Sequence, residues 1–328
     1  MKKLCVLVAG GAGYIGSHMV KALLAEGMEV VILDNLATGH RDLLTGGEFV
    51  QGDLHDAALL DTLFSTRKID AVMHFAAFSL VGESVAAPIA YYRNNFSGTL
   101  NLIDAMVRHG VNRFIFSSTA AVYGEPEIVP IPETHPLTPK NPYGGSKLAV
   151  EKLLADCDHA YGLKSICLRY FNAAGADASG IIGERHLKES HLIPLVLQTA
   201  LGLRPHIGIY GTSYPTPDGT CLRDYVHVTD LAKAHLLALS ALMDGASSNV
   251  YNLGNSRGYS VREVIDLARK VTGRDIPARE EENRPGDPAV LVADSAKIRR
   301  ELAWQPAYED LESIIKTAWE WHRREAAA

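Results

Sequence analysis

The chain has 328 residues, 47% hydrophobic and 21% charged, with a net charge of −6. That length suits about two domains and a large buried core, which excludes global disorder. With 32 Lys plus Arg against 38 Asp plus Glu and no basic block, nucleic acid is not expected as a partner, because phosphate-backbone binding needs clustered cations.

In chain order, Leu4–Ala9 reads as a first strand. The apolar run there is too short for a signal peptide and ends in glycines. No run of about 18 apolar residues follows, so no membrane span is expected. The string Gly10-Gly11-Ala12-Gly13-Tyr14-Ile15-Gly16 comes next and opens a helix ending near Glu26-Gly27. Glycines at Gly10, Gly13 and Gly16 allow a tight turn and close backbone approach, and the helix N-terminus offers free N–H groups to a pyrophosphate. Glu29–Leu33 is a continuous apolar strand that Asp34 closes. A carboxylate there accepts from both adenosine ribose hydroxyls and repels a 2′-phosphate, which favours NAD over NADP. Further strands are expected at Glu48–Gln51, Asp70–Phe75, Asn112–Ser117 and Lys164–Arg169. A helix is expected over Pro88–His109, with Phe96, Leu100, Ile103 and Val107 on one stripe. Repeated β-helix-β units imply an α/β fold, a Rossmann-type doubly wound parallel sheet.

Tyr143 and Lys147 precede a helix over Leu148–Ala160 and are spaced i, i+4, one helical face. A phenol is a poor base at neutral pH; a neighbouring ammonium would favour the phenolate, so the pair can remove a hydroxyl proton while hydride leaves the same carbon. Ser117-Ser118-Thr119 ends the preceding strand, where open α/β sheets bind ligands, and the Thr119 hydroxyl can bond the reacting oxygen. After Phe171-Asn172 the chain becomes rich in Gly, Pro, Ser and His, with a helix near Leu192–Leu201. A regular pattern resumes over 225–255, and the last helix carries Leu311, Ile314, Ile315, Ala318 and Trp319 on one stripe. The expected domains are 1–175, with 225–255 returning to it, and a smaller α/β C-terminal substrate domain from 176–224 and 256–328. Cys5, Cys157, Cys167 and Cys221 lack CxxC spacing and read as reduced, in a cytoplasmic protein. The 13 histidines contain no HExxH string, and His186 and His191 are five apart, the wrong relation for a shared helix face, so no metal is expected.

These strings together resemble the extended short-chain dehydrogenase/reductase family, and within it the UDP-glucose 4-epimerases. Beyond the glycine turn and the Tyr/Lys pair, the resemblance rests on Leu33-Asp34-Asn35-Leu36, Tyr91-Tyr92-Arg93-Asn94-Asn95, Phe116 to Gly124 and Leu168-Arg169-Tyr170-Phe171-Asn172. In the C-terminal half it rests on Tyr214 to Thr220, Arg223-Asp224-Tyr225-Val226-His227-Val228 and Tyr251-Asn252-Leu253-Gly254. It spans essentially the whole chain.

The resemblance implies a tightly bound NAD, a UDP-sugar substrate and an isomerase that oxidises C4 transiently and reduces it again from the other face. It assigns Tyr143, Lys147 and Thr119 to catalysis. It places Gly10, Gly13, Tyr14, Ile15, Gly16, Asp34, Asn35, Asp53, Leu54, Phe75, Asn94, Ser117, Tyr143, Lys147 and Tyr170 around NAD. It places Thr119, Phe171, Asn172, His191, Leu192, Tyr210, Arg223, Tyr225, Arg284 and Asp287 around the UDP-sugar. Arg223 and Arg284 suit a diphosphate, which guanidinium forks bind bidentately. It also implies a homodimer built on the Pro88–His109 and Tyr143–Ala160 helices. Leu291 stands where some relatives carry a tyrosine, which implies tolerance of a 2-acetamido sugar. The alternatives are another NAD-dependent nucleotide-sugar epimerase, a decarboxylase or a 4,6-dehydratase. The dehydratase needs an additional acid and base, and Ala120-Ala121 stand where its relatives carry Asp-Glu.

Overall fold

The computed structural model describes residues 3–283 and 287–327. Its strands, in chain order, are β1 (Cys5–Ala9), β2 (Glu29–Asp34), β3 (Glu48–Gln51), β4 (Ala71–His74), β5 (Arg113–Thr119), β6 (Lys164–Tyr170), β7 (Asn172–Ala174), β8 (Ile207–Tyr210), β9 (Leu222–His227), β10 (Asn249–Leu253), β11 (Gly258–Ser260), β12 (Ala278–Glu281) and β13 (Val290–Leu291). The helices are α1 (Tyr14–Ala25), α2 (Ala57–Thr66), α3 (Val81–Ala86), α4 (Pro88–Tyr91), α5 (Gly98–Arg108), α6 (Pro142–Tyr161), α7 (Leu192–Ala200), α8 (Val228–Met243), α9 (Val261–Thr272), α10 (Ala296–Glu301) and α11 (Leu311–Glu325). Among the described residues, no helix is long and apolar enough to cross a membrane.

Seven strands form one sheet in the order β10-β6-β5-β4-β1-β2-β3. The order reverses between β1 and β4, the switch point at which doubly wound sheets bind ligands. Every residue of β1 and of β4 is buried, as expected of parallel strands covered on both faces. The registers pair Ala9 with Leu33 and His74, and His74 with Phe116. The carboxyl ends of β1, β2, β4 and β5 therefore share one edge, where Gly10 and Phe75 directly follow β1 and β4 and Asp34 and Ser117 lie at the ends of β2 and β5.

The expected helix over Pro88–His109 is interrupted. Residues Tyr92–Ser97 form a π-helical turn between α4 and α5. A π turn inserts one residue per turn and rotates the faces that follow, so Leu102, Ile103, Ala105 and Met106 enter the core while Leu100 is 40% exposed. The same turn buries Asn95, whose amide is fully used: Oδ1 accepts from Phe78 N–H at 2.8 Å, and Nδ2 donates to Phe78 O at 3.0 Å and Ser146 Oγ at 3.1 Å. α6 begins earlier than its apolar pattern suggests. Asn141 caps it by accepting from Gly144 N–H at 2.9 Å, and Pro142 occupies the first turn, where its missing N–H costs nothing. Tyr143 thus sits in the first turn.

The chain divides into two compact units: up to Gly124 with Pro136–Arg169 and Ala232–Tyr251, and Glu125–His135 with Tyr170–Leu231 and the chain from Asn252 on. These limits differ from the expected 175 and 225–255. β7 pairs with β9, placing 172–174 and 222–227 in the second unit. Glu125–His135 joins that unit because Ile131 exchanges backbone hydrogen bonds with Val292 and Asp294, a long-range pairing that local patterns do not encode. The second unit's core gathers Ile193, Val196 and Leu197 of α7, Val264 and Ile265 of α9, and Leu311, Ile314 and Ile315 of α11. Ser260 and Glu263 close a capping box on α9.

Candidate functional site

The glycine turn in the first unit is shaped for a close visitor. Gly10 has φ +79, and a Cβ there would meet Ala76 N at 2.4 Å. A Cβ on Gly16 would meet Gly10 O at 2.1 Å, whereas at Gly13 the nearest atom is Gly10 O at 3.4 Å. Gly10 and Gly16 are thus demanded by the protein's own packing, and Gly13 leaves its face bare for phosphate approach.

A cavity beside this turn is lined by Gly10, Gly13, Asp34, Asn35, Asp53, Leu54, Phe75 and Asn94, all anticipated cofactor residues. Asp34 is buried at the end of β2. Its Oδ2 accepts from Ala12 N–H at 2.9 Å and its Oδ1 from Leu36 N–H at 2.8 Å. Burial raises its pKa, and the two backbone donors oppose that rise. Each carboxylate oxygen keeps a second lone pair for a hydroxyl donor. Asn35 Nδ2 donates to Asp53 Oδ2 at 2.7 Å, joining the loops after β2 and β3. A glycine cradle, a helix N-terminus and a fixed carboxylate fit a dinucleotide with a free ribose. Tyr14, Ile15 and Gly16 open α1 behind that cradle.

Thr119 ends β5. Its side chain favours ionisation of the Tyr143 phenol, and its Oγ1 accepts from Ala121 N–H at 3.1 Å. Lys147 is 3% exposed and lies over the Phe116 ring at 4.8 Å. Its Nζ donates to Ser117 O at 2.9 Å. Burial lowers the lysine to about 7, against the pull of Glu151. The expected depression of the Tyr143 pKa by Lys147 is corrected by the structure. Burial raises the phenol and only the Thr119 side chain opposes the rise, so in the protein by itself the neutral phenol is the favoured form.

Three supporting residues escaped the sequence reading. His235 Nε2 lies 3.1 Å from Ser117 Oγ, and its ring packs on Phe75 at 4.9 Å between centroids. Glu151 pairs with Arg169 in the interior, with Nε–Oε1 at 3.0 Å and Nη2–Oε2 at 2.5 Å, and also accepts from Ser118 Oγ. Arg169 reaches Tyr123 Oη at 3.0 Å as well. This buried network ties α6 to β5 and β6, and so fixes the height of Tyr143 and Lys147. An apolar strand bearing one Arg and a helix bearing one buried Glu are the available sequence signals, and neither names its partner.

In the second unit, Asn172, Arg223 and Tyr225 gather about β9. Asn172 Nδ2 donates to Asp224 O at 2.9 Å, and β7 aligns Asn172 with Tyr225. Arg223, 13% exposed in its side chain, pairs with Asp287 and stands in register with Leu291 of β13. Asp224 between them is fully buried, accepting from the N–H groups of Asn255, Ser256 and Ala293 at 2.8, 3.0 and 3.1 Å; burial nevertheless pushes its pKa up to about 7. Tyr210 ends β8 and is 42% exposed. Tyr170 and Phe171 lie at the β6–β7 junction, and His191 and Leu192 at the start of α7. Arg284 lies outside the described residues.

Residues 6–254 match the model of the NAD dependent epimerase/dehydratase family. The chain is 54% identical to the UDP-glucose 4-epimerase of Halalkalibacterium halodurans over 98% of this chain and 96% of that one. The crystal structure of UDP-glucose 4-epimerase from Brucella ovis in complex with NAD superposes with a TM-score of 0.94 at 47% identity, covering 96% of this chain and 97% of that one. The enzyme from Bifidobacterium longum in complex with NAD+ and UDP gives 0.94 at 40% identity, covering 98% and 99%.

Proposed function

The chain belongs to the NAD dependent epimerase/dehydratase family, and from that premise we propose that it is an isomerase that inverts C4 of a UDP-hexose and interconverts UDP-glucose and UDP-galactose. The observation that carries this reading is the Lys147 Nζ–Ser117 O bond of 2.9 Å, which ties the first turns of α6 with Tyr143 to the end of β5, where Thr119 is followed directly by Ala120 and Ala121, which have no group able to move a proton. One acid/base group suffices for inversion, whereas elimination of water from the sugar needs more.

NAD, when bound, supplies a reversible acceptor and donor of hydride. The glycine turn of α1 presents its N–H groups to the diphosphate, and Asp34 takes the ribose hydroxyls. Tyr143 accepts the proton of the sugar 4-hydroxyl and later returns it. Its raised pKa keeps the proton on the phenol until positive charge arrives nearby, because a cation favours the phenolate. Thr119 offers its hydroxyl to the reacting sugar oxygen. Lys147, fixed on Ser117 O, supports the same charge balance from one helical turn away. Arg223 serves the diphosphate of the nucleotide sugar as a bidentate donor and exchanges Asp287 for phosphate oxygens; Asn172, Tyr225, Leu192 and Tyr210 shape that site with it. The 4-keto sugar formed by oxidation is reduced on its other face, so no net redox change occurs.

A homodimer agrees with the apolar surface on α3 to α5, where Val85 is 63% and Ile89 70% exposed beside Tyr92 and Leu100. A cytoplasmic location agrees with four buried cysteines, none of them in a disulfide among the described residues.

The test is incubation of purified protein with UDP-glucose and no added cofactor, followed through the anomeric protons by NMR. UDP-galactose is expected, without solvent deuterium at C4. A 4-keto-6-deoxy sugar, or deuterium at that carbon, would overturn the proposal.

A further inference from the structure

We propose that Glu184, His186, Glu189 and His191 bind one first-row divalent metal ion, zinc by best match, that fastens the loop ahead of α7 beside the C-terminal helix. The spacing argument against a metal assumed a helix for His186 and His191. Both precede α7 in irregular backbone, and their rings meet edge to face with centroids 5.2 Å apart. Each of the four side chains offers one ligand atom, and these atoms all lie within 4.8 Å of one another. His186 Nδ1 is 3.5 Å from Glu184 Oε1 and 3.2 Å from Glu189 Oε2, and His191 Nδ1 meets the same Glu184 oxygen. A tetrahedral zinc with ligands at about 2.0–2.2 Å sets its donors roughly 3.3–3.6 Å apart. Small side-chain shifts therefore suffice to seat the ion.

The surroundings hold these groups in place without it. Glu189 Oε1 accepts from the N–H groups of Ser190 at 2.7 Å and His191 at 2.8 Å, which leaves Oε2 for the cluster. The backbone carbonyl of Glu184 accepts from Trp321 Nε1 at 2.9 Å, and Arg185 grips Glu325 through two bonds of 2.6 and 2.8 Å, so the loop is already moored to α11. Such outer contacts are what orient metal ligands. The Glu184 side chain is 3% exposed, and a second carboxylate beside it calls for compensating charge. A further imidazole, His322 of α11, has its Nε2 buried with no hydrogen-bond partner among the described residues and feels the charges of Glu184 and Glu189. The side chain of His191 stays 45% exposed, an entry path for a hydrated ion. Two imidazoles with two carboxylates suit zinc and its neighbours; calcium and magnesium prefer oxygen alone. None of the proton or hydride steps above uses this cluster, and of its members the resemblance places only His191 at the UDP-sugar.

Co2+ titration of the EDTA-dialysed full chain tests the proposal. One equivalent should bind, with visible d–d bands of tetrahedral intensity that Zn2+ abolishes. His186→Asn and Glu189→Gln should each weaken binding by more than about tenfold, the floor for losing even an outer-shell partner of a metal site. Zinc should raise the Tm of the wild type and leave both variants unmoved. Absence of saturable one-equivalent binding by the wild type, or equal affinity in folded His186→Asn, overturns the site. Should the variants fail to fold, zinc X-ray absorption on the wild type decides: two imidazoles in the coordination shell support it, and none refutes it.

Discussion

Lys147 Nζ donates to the backbone carbonyl of Ser117 at 2.9 Å. A side chain in the second turn of α6 is thereby tied to the last residues of β5, and the strand end and the helix start become one rigid unit. Thr119 and Tyr143, each near one of these anchors, keep their relative placement because the two elements cannot drift apart.

Tyr143→Phe removes the hydroxyl assigned to carry the proton and leaves the ring packing intact. Turnover of UDP-glucose should fall by at least about 10²–10⁴-fold, the usual worth of a positioned acid/base group. NAD released by acid from the purified variant should match the wild type. A variant with unchanged kcat would take Tyr143 out of the reaction.

Gly16→Ala places a methyl 2.1 Å from Gly10 O and 2.8 Å from Gly11 Cα. Both are backbone atoms of the phosphate turn, so the turn itself must move, at about 1–3 kcal/mol of strain. The purified variant should carry much less NAD than the wild type while remaining folded by circular dichroism. Full NAD occupancy would show that the turn yields without harm.

Arg169→Met leaves Glu151 buried without its ion partner. The expected loss is about 3–5 kcal/mol, read from the urea midpoint at constant m. The double variant Glu151→Met with Arg169→Met should recover part of this, since no orphaned charge remains. A single variant as stable as the wild type would mean that water reaches Glu151.

Asp224 has a folded pKa of about 7 against 3.8 in the unfolded chain. Between those values the folded state binds more protons, so this group makes stability fall as pH rises through the window. Its penalty is absent below about pH 4 and complete above about pH 7. Asp224→Asn, which resembles the protonated form, should gain stability relative to the wild type as pH climbs from 4 to 7, whatever the offset between them. A pH-independent difference in Tm would show that the three backbone donors fully compensate burial.

Leu291 stands in register with Arg223. Leu291→Tyr adds bulk beside the residue assigned to the diphosphate. Turnover of UDP-N-acetylglucosamine should drop by at least about tenfold relative to UDP-glucose, the range that pocket fit delivers. Two proteins that both fail on the acetamido sugar would remove Leu291 from selectivity.

Much of this molecule is written locally. The buried strands, the glycine turn and Asp34 are legible because each depends on neighbours within a few residues, and a short apolar run or a missing Cβ acts over that distance. Tyr143 and Lys147 are legible for the same reason, being one turn apart on one helix. Only the folded chain decides what those groups feel: burial, summed over distant segments, raises the phenol and lowers the ammonium. It also decides that Glu151 meets Arg169, that His235 meets Ser117, and that His186 and His191 share a corner with Glu184 and Glu189. Those encounters join residues on separate elements or in irregular backbone, where sequence periodicity carries no directional information, and the packing of the whole chain sets the distances.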